Sequence, residues 1–363
     1  MKNMTKEWQN EKIGLAIVGA GNIARSTAKA IAAVPGAKLN VVCDLTEANA
    51  RELAEPYGAA WETVPEIAVQ RKDVDVVCIC TPSGSHGEIA VAAAQAGKHL
   101  VIEKPMEINL PRIDAIIQAA QAHGVKMTCI FPYRFMLGSR KAAEAVRQGR
   151  LGRLIMADAV VKWYRSQAYY DGSWHGTWKL DGGGALMNQS IHSIDLLQWL
   201  AGPVASVYAR TATLAHQMET EDTAAAVLTF SNGALGIIQG STACFPGQQA
   251  RISLQGDQGT IVIEEGRIVV WKPDSAAPDE EAEMLALEQA QVSGSQNPSG
   301  IGHELHRRQI ADFVEALRND SQPAISGAEA RKSVELIRAI YHSARLGQPV
   351  NLPYKDEADS DAS

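Results

Sequence analysis

An apolar run that leads directly into a glycine-rich turn restricts the fold of this chain more than any other feature. Ile13–Val18 has the length and apolar character of a buried strand, and the turn after it reads Gly19-Ala20-Gly21-Asn22-Ile23-Ala24. Small residues then continue at helical spacing to about Val34. A strand, a G-x-G-x-x-A turn and a helix in this order form the phosphate-binding part of a βαβ unit. We therefore predict a doubly wound parallel sheet at the N-terminus.

Each residue type in the turn suits contact with a dinucleotide. Gly19 permits the tight turn, and Gly21 lets the backbone approach a pyrophosphate. Ala24 is small enough for the helix to pack closely on the strand. The helix that begins near Asn22 and Ile23 directs its free N–H groups and positive dipole end at the phosphate. Gly19, Gly21, Asn22 and Ile23 are the first predicted cofactor contacts, and Ala24 serves the packing of the helix.

Asp44 distinguishes between the two nicotinamide dinucleotides. It directly follows the second apolar run, Leu39–Cys43, and lies about 20 residues after the glycine turn. A carboxylate there accepts hydrogen bonds from the ribose hydroxyls and repels a 2′-phosphate. The cofactor is therefore expected to be NAD, with NADP disfavoured. The alternative is an ordinary strand–turn–helix in which Asp44 is a loop acid.

The remaining pattern divides the chain into two parts. Over the first third, short apolar runs alternate with helical stretches, as in a parallel sheet covered by helices on both faces. From about Leu154, strand-like runs follow one another with turns between them, and a helix over 185–200 precedes most of them. This order predicts an α+β second domain with a mostly antiparallel sheet. Residues 272–303 are expected to form a long surface loop, and amphipathic helices follow over 304–317 and 328–346.

Polar residues follow two of the predicted parallel strands. Thr81, Pro82 and His86 come after the third strand, and Glu103 and Lys104 end the fourth. Ligands of doubly wound sheets bind at the carboxyl ends of the strands, so these residues are expected to line the cofactor. A partly desolvated lysine at such a position can serve in acid–base chemistry. The alternatives are a helix-capping turn after the third strand and a surface lysine paired with Glu103.

The predicted helix over 185–200 carries the other reactive groups. Asn188 and His192 are four residues apart and share one face, which Asp195 continues. The ordinary pKa of a histidine lies near the working pH, as proton transfer requires. The alternative is a histidine hydrogen-bonded to Asp195 at a domain interface.

An aromatic and polar segment lies upstream of that helix. Trp163, Arg165, Trp174 and Trp178 are its main candidates for binding a substrate. Aromatic faces mixed with polar groups suit the C–H faces of a sugar ring. The alternative is a hydrophobic brace for a long loop. His303 and His306, three residues apart, lack further ligands at metal-site spacing, so no metal is predicted.

Composition excludes several classes of protein. The formal net charge of −7 argues against nucleic acid as a partner, because phosphate binding requires a basic face. No apolar run reaches the ~18 residues of a membrane span. The first 12 residues are polar and the 5 cysteines are odd in number, so we expect buried thiols in a cytoplasmic protein.

Five motifs, taken together, resemble one family. They are GAGNIA at 19–24, the strand-end Asp44, TPSGSH at 81–86, EKP at 103–105 and DGGGALMNQSIHSIDLLQWL at 181–200. In this order and spacing they resemble the glucose–fructose oxidoreductase / inositol dehydrogenase (Gfo/Idh/MocA) family. The resemblance extends from about Lys12 to Pro349. It implies an α/β protein with an N-terminal Rossmann domain and a C-terminal α+β domain on an open, mostly antiparallel sheet. In the family this sheet commonly forms a dimer or tetramer interface.

The resemblance also implies domain limits. We expect a dinucleotide-binding domain at 1–132 and a substrate-binding and oligomerisation domain at 133–327. A helix at 328–350 would return to the first domain, and 351–363 would be an acidic flexible tail. The expected partners are a small sugar or polyol and further copies of the chain, as a homodimer or homotetramer.

The family's catalytic set is the lysine of EKP and, on the helix, an aspartate four residues before a histidine. The lysine here is Lys104 and the histidine is His192, whereas Asn188 stands at the aspartate position. An asparagine cannot take a proton, but it can bridge a substrate hydroxyl. The longer string around it looks like a branch that acts on nucleotide-linked amino-sugar uronates or other pyranosides at C3 and carries the same asparagine. The predicted substrate-binding set is Lys104, Arg134, Trp163, Arg165, Trp174, Trp178, Asn188 and His192.

The expected activity is hydride transfer between NAD and a secondary hydroxyl of a pyranoside, nucleotide sugar or cyclic polyol. In this hypothesis His192 takes the hydroxyl proton while Lys104 stabilises the developing alkoxide. One alternative is an NAD-dependent glycoside hydrolase that works by transient oxidation and elimination. A second is a non-enzymatic sugar sensor, since the fold alone does not determine the function.

Overall fold

The computed structural model describes residues 12–287 and 303–356. The chain forms two compact units. Of the described residues, unit 1 contains 12–107, 112–130 and 303–330, and unit 2 contains 108–111, 131–287 and 331–356. In 12–287 and 303–356, no helix combines the length and the apolar character that crossing a bilayer requires.

The N-terminal part of the chain alternates strands and helices. The elements are β1 (Ile13–Val18), α1 (Asn22–Ala32), β2 (Ala37–Cys43), α2 (Glu47–Ala54), β3 (Ala60–Glu62), α3 (Pro65–Gln70), β4 (Val76–Ile79), α4 (His86–Gln95), β5 (His99–Ile102), α5 (Leu110–Ala122) and β6 (Met127–Cys129). The six strands form one sheet in the order β3-β2-β1-β4-β5-β6, and every pair is parallel. This is the doubly wound Rossmann order, with its reversal of direction at β1 and β4. The predicted fold class is therefore confirmed for this part.

The remaining elements follow from α6 onward. They are α6 (Leu137–Arg147), β7 (Leu154–Lys162), α7 (Ile191–Ala201), β8 (Val204–Ala212), β9 (Thr223–Phe230), β10 (Leu235–Ser241), β11 (Arg251–Gly256), β12 (Gly259–Glu264), β13 (Arg267–Pro273), α8 (Glu280–Leu285), α9 (His303–Arg318), α10 (Gly327–Leu346) and β14 (Val350–Asn351). Eight strands form a second sheet in the order β13-β12-β11-β7-β10-β9-β8-β14. Only β7 and β10 pair in parallel among these described strands. The prediction of a mostly antiparallel second sheet is confirmed.

The two C-terminal helices divide between the units differently from the predicted limits. α9 belongs to unit 1, because Ile310, Phe313 and Leu317 enter the same buried core as β1, α1 and β2. α10 belongs to unit 2 from residue 331 onward. There the Ser343 hydroxyl accepts the N–H of Ala209 on β8 at 3.0 Å. The units therefore differ from the predicted limits: 303–327 lies in unit 1 and not with the second sheet, and 331–350 lies in unit 2, because the buried face of each helix packs in a different unit.

The predicted loop and tail also contain ordered structure. α8 lies inside the predicted loop 272–303, where Glu280 receives two hydrogen bonds from Arg150, the longer at 2.8 Å. Residues 288–302 lie outside the described part. In the predicted tail, β14 pairs with β8, and Asp356 accepts hydrogen bonds from the Leu110 N–H and from Arg338 at 2.8 and 2.9 Å. Residue 351 is therefore paired in a sheet and Asp356 is hydrogen-bonded, and 357–363 lie outside the described residues.

Candidate active site

The glycine turn in unit 1 has the geometry that a dinucleotide requires. Gly19 has φ +92°, and a Cβ there would lie 2.7 Å from the carbonyl oxygen of Cys80. A Cβ on Gly21, the N-cap of α1, would meet nothing within 4 Å, so the space beside the turn is open. No side chain caps α1, and its first turn, which contains Asn22 and Ile23, carries no acidic residue. The turn therefore fits the pyrophosphate of a dinucleotide, held by backbone N–H groups at the helix start.

Asp44 connects the end of β2 to this turn. One of its oxygens accepts the Ala20 N–H at 2.8 Å, and the other accepts the Thr46 N–H at 2.8 Å. The side chain is half-buried, and each carboxylate oxygen has a further lone pair for a ribose hydroxyl. Asp44 thus shapes the glycine turn in addition to the ribose contact predicted for it.

His86 joins the loops that follow β4 and β5. Its ring is 1% exposed, and its two nitrogens lie 2.9 Å from the carbonyl oxygens of Pro105 and Thr81. The alternative interpretation was a helix-capping turn with Ser85 as the cap. The Ser85 hydroxyl instead lies 2.7 Å from the Pro82 carbonyl oxygen and makes no capping hydrogen bond to α4. His86 therefore supports the loop that carries Lys104, while direct cofactor contact by Thr81, Pro82 and His86 stays a prediction.

Glu103 and Lys104 stand at the carboxyl end of β5, as predicted. Glu103 is buried, and Lys104 is half-buried. The carboxylate of Glu103 lies 3.3 Å from the Nε2 of His306 on α9 and 3.3 Å from the backbone nitrogen of Lys104. His306 is itself 2% exposed, so this histidine supports the site from within unit 1. Over the part of the chain that the structure describes, no cluster of metal-ligating side chains occurs.

In unit 2, the predicted helix over 185–200 is not a uniform α-helix. Ala185–Ser190 forms a π-helical turn, and α7 follows it. Glu221, fully buried, holds the start of this turn, because its carboxylate accepts the N–H groups of Gly184 and Leu186 at 3.0 and 2.9 Å and the Tyr341 hydroxyl at 3.0 Å. Burial raises the pKa of Glu221 to about 7, against the opposing effect of these donors. Single π turns inside helices occur frequently at functional sites.

The glycines before this turn permit close approach of other elements. A Cβ on Gly184 would lie 1.8 Å from the Glu221 carbonyl oxygen, and one on Gly183 would lie 2.2 Å from the Tyr341 hydroxyl. Only a residue without a Cβ allows the backbone to reach the Glu221 side chain.

Asn188 lies within the π turn and contacts two polar side chains. Its amide nitrogen donates to Asp181 at 2.6 Å and lies 3.2 Å from the Nδ1 of His175. Asp181 is 1% exposed and also accepts the Gly176 N–H at 2.9 Å. Sequence reasoning missed Asp181, Glu221 and His175 as site residues. The local indications were the position of Asp181 directly before three glycines and the position of His175 beside Trp174 in the aromatic segment, and Glu221 had none.

His192 lies in the first turn of α7, among aromatic rings. It is 5% exposed, stacks on Tyr133 with a centroid distance of 5.0 Å, and meets Phe131 edge-on at 6.0 Å. The neighbouring Asp195 is paired with Arg134, whose guanidinium makes two hydrogen bonds to it at 2.8 and 2.7 Å. This pairing gives Arg134 a structural role in unit 2, and the direct substrate contact predicted for Arg134 remains untested.

Two side chains of the aromatic segment, Trp163 and Arg165, are buried within unit 2. Trp163 is buried beside Val161 and Ala250, and the buried guanidinium of Arg165 lies 5.3 Å from the Trp163 ring. Trp174 and Trp178 are half-buried, and Trp178 meets Tyr341 edge-on at 5.4 Å. The contact of all these side chains with a substrate remains a prediction.

Comparison with known proteins identifies the family. Residues 13–131 match the model of an oxidoreductase family with an NAD-binding Rossmann fold, and residues 139–262 match a GFO/IDH/MocA C-terminal domain. The WlbA dehydrogenase of Bordetella pertussis, crystallised with NADH and UDP-GlcNAcA, is 34% identical over 95% of this chain and 99% of its own, with a TM-score of 0.87. The chain belongs to the Gfo/Idh/MocA family of oxidoreductases.

Other Gfo/Idh/MocA members match over nearly the whole chain. The WlbA dehydrogenase of Chromobacterium violaceum, with the same two ligands, is 32% identical over 96% of this chain and 98% of its own, with a TM-score of 0.86. An NAD-dependent scyllo-inositol 2-dehydrogenase of Bacillus subtilis is 25% identical over 95% of this chain and 97% of its own. The predictions of this family, of an oxidoreductase activity and of NAD as cofactor are thus confirmed.

Proposed function

We propose that this protein is an NAD-dependent dehydrogenase that oxidises a secondary hydroxyl at C3 of a pyranoside, and that nucleotide-linked N-acetylated hexuronates are its preferred substrates. The observation that carries the proposal is the 34% identity, over 95% of this chain, to a dehydrogenase crystallised with NADH and UDP-GlcNAcA. Three inositol dehydrogenases among its relatives are less similar, at 25%, 25% and 28% identity. Pyranosides without a nucleotide and cyclic polyols are therefore the second choice.

Three residues are proposed to act on the reacting hydroxyl. When NAD is bound at the glycine turn, it supplies the hydride acceptor. His192 accepts the hydroxyl proton, and its buried aromatic contacts hold the ring in one orientation. Lys104 supplies positive charge for the developing alkoxide, which is the kind of electrostatic stabilisation that contributes several kcal/mol to catalysis. Asn188 hydrogen-bonds a substrate hydroxyl and takes no proton.

The cofactor and substrate contacts are proposed residue by residue. For NAD they are Gly19, Gly21, Asn22, Ile23, Asp44, Thr81, Pro82, His86, Glu103 and Lys104. For the substrate they are Lys104, Arg134, Trp163, Arg165, Trp174, Trp178, Asn188 and His192. The open space beside Gly21 and the uncapped start of α1 support the first set. Of the second set, Trp174, Trp178 and Asn188 are supported by their partial exposure.

Absorbance of NADH at neutral pH tests the proposal. UDP-GlcNAcA, simple glucosides and inositols are supplied with NAD, and we expect the fastest turnover with UDP-GlcNAcA. The His192→Ala variant is expected to lose about 100-fold to 10,000-fold in rate, the contribution of a general base. A His192→Ala variant as fast as the wild type would exclude this histidine as the base.

The same assay distinguishes the alternative functions. Release of free aglycone without net NADH would indicate a glycoside hydrolase that works by redox elimination. Binding of a sugar without any turnover would indicate a sensor.

We also propose that copies of the chain associate through the second sheet. Met156 and Leu235 are directly paired across β7 and β10, Tyr208 and Val227 are paired across β8 and β9, and all four are exposed. Together they form an apolar row on one face of a broad sheet, and such a patch is typical of a protein interface. A second copy of the same face would cover it.

The described cysteines are free thiols, mostly buried, which supports the predicted cytoplasmic location.

A further inference from the structure

We propose that Asp181 is a positioning residue that sets the orientation of Asn188 and makes an amide, in place of a carboxylate, the required group at position 188. The proposal rests on the proposed function, in which Asn188 binds a substrate hydroxyl. It explains why this chain departs from the aspartate that the family resemblance places at this position.

The contacts of Asp181 determine which way the amide of Asn188 faces. Asp181 is 1% exposed, and one of its oxygens accepts the Gly176 N–H at 2.9 Å. The other oxygen lies 2.6 Å from the side chain of Asn188. A carboxylate can only accept, so the atom of Asn188 that faces it must be the amide nitrogen.

His175 takes the second amide hydrogen of Asn188. Its Nδ1 lies 3.2 Å from the amide nitrogen, so it accepts, and the proton of the neutral ring is then on Nε2. The ring contacts two aromatic side chains, Tyr169, which stacks on it at 4.5 Å, and Trp174, whose ring centroid lies 4.0 Å away. With both amide hydrogens directed at Asp181 and His175, Asn188 can offer a ligand only its carbonyl oxygen, which is a hydrogen-bond acceptor. A substrate hydroxyl must therefore donate to Asn188.

A carboxylate at position 188 would conflict with this arrangement. Two carboxylates at 2.6 Å cannot both be ionised, so the pair must either share a proton or move apart. Exchanging the two residue types removes the conflict. In the double variant, the amide now at position 181 would accept the Gly176 N–H with its oxygen and donate from its nitrogen to the carboxylate now at position 188. His175 would move its proton to Nδ1, and position 188 would still present an acceptor to the hydroxyl.

The exchange can be tested with the variants Asn188→Asp, Asp181→Asn and the double variant, assayed with NAD and UDP-GlcNAcA. We expect each single variant to lose about 100-fold in kcat, the cost of an ~1 Å misplacement, with a smaller change in KM. The double variant should recover to within about tenfold of the wild type. Asp171→Asn is the matched control, because Asp171 is exposed on the same segment, and it should leave kcat unchanged. A wild-type rate in Asn188→Asp, or a double variant no faster than the slower single variant, would overturn the proposal.

Thermal unfolding of the same proteins without substrate separates this proposal from the proposed function. Each single variant should lower the Tm by several degrees and the double variant should restore it, since the loss and the recovery both arise from one buried contact. If the wild type oxidises none of the sugars, the proposed function fails, and the Tm cycle alone then decides whether Asp181 and Asn188 are coupled. Additive Tm changes would show that they are not.

Discussion

Replacing Glu221 by glutamine should remove a pH dependence of stability that arises from one buried carboxyl. Burial raises the pKa of Glu221 in the folded chain from 4.5 to about 7. A group with a raised folded pKa contributes stability that is fully present below its unfolded pKa and is lost as the pH rises through the folded pKa. At ~1.4 kcal/mol per pKa unit, the shift from 4.5 to about 7 corresponds to about 3 kcal/mol, most of which is lost between pH 4.5 and pH 7 and the rest by about pH 8.

Urea unfolding at pH values from 4.5 to 9 measures this effect. Tryptophan fluorescence is the suitable signal, because Trp163, Trp174, Trp178, Trp199 and Trp271 all lie in unit 2 with Glu221. The free energy of unfolding of the wild type, minus that of Glu221→Gln, should fall by about 3 kcal/mol between pH 4.5 and about pH 8 and stay level at higher pH. Parallel pH profiles of the two proteins would refute the burial argument. Tyr341→Phe, which removes one donor to the carboxylate, should shift the midpoint of the fall to higher pH.

Three further predictions concern other contacts. Arg134→Met leaves the Asp195 carboxylate, which is 0% exposed, without its bidentate partner. The free energy of unfolding of unit 2, measured in urea, should fall by about 3–5 kcal/mol. Adding Asp195→Leu to this variant should recover part of the loss. Asp44→Ser removes one support of the glycine turn, so kcat/KM for NAD should fall. It also removes the charge that repels a 2′-phosphate, so the preference for NAD over NADP in steady-state assays should drop about tenfold or more. Val227→Asp places a charge in the exposed apolar row and should shift the mass measured by light scattering toward the monomer, without loss of the folded state by circular dichroism.

Most strands of both sheets were predictable because a buried strand has a recognisable local pattern of apolar residues in the sequence. The predicted bounds of β1, Ile13–Val18, agree with the structure, since every residue of this strand is buried. Short elements contain too few residues to show such a pattern. β3 has three residues, none of them fully buried, and α3 has six, so neither shows a period long enough to detect. The helical spacing around Asn188 was also recognisable, but a period of three to four residues cannot distinguish a π turn from an α-helix.

The cofactor turn and the supports of the site differ in what determines them. The glycine turn depends on backbone freedom at neighbouring positions and on the strand and helix beside it, so the sequence alone specified it, together with Asp44 and the choice of NAD. The partners of the buried polar groups depend on contacts near 3 Å between residues far apart in the chain. Arg134 reaches Asp195 across 61 positions, and Glu221 reaches Leu186 across 35. No spacing rule encodes such a pair, because a hydrogen bond depends on distance in space and not on separation along the chain. Only the tertiary structure therefore decided that a carboxylate holds the π turn and that a second one orients Asn188.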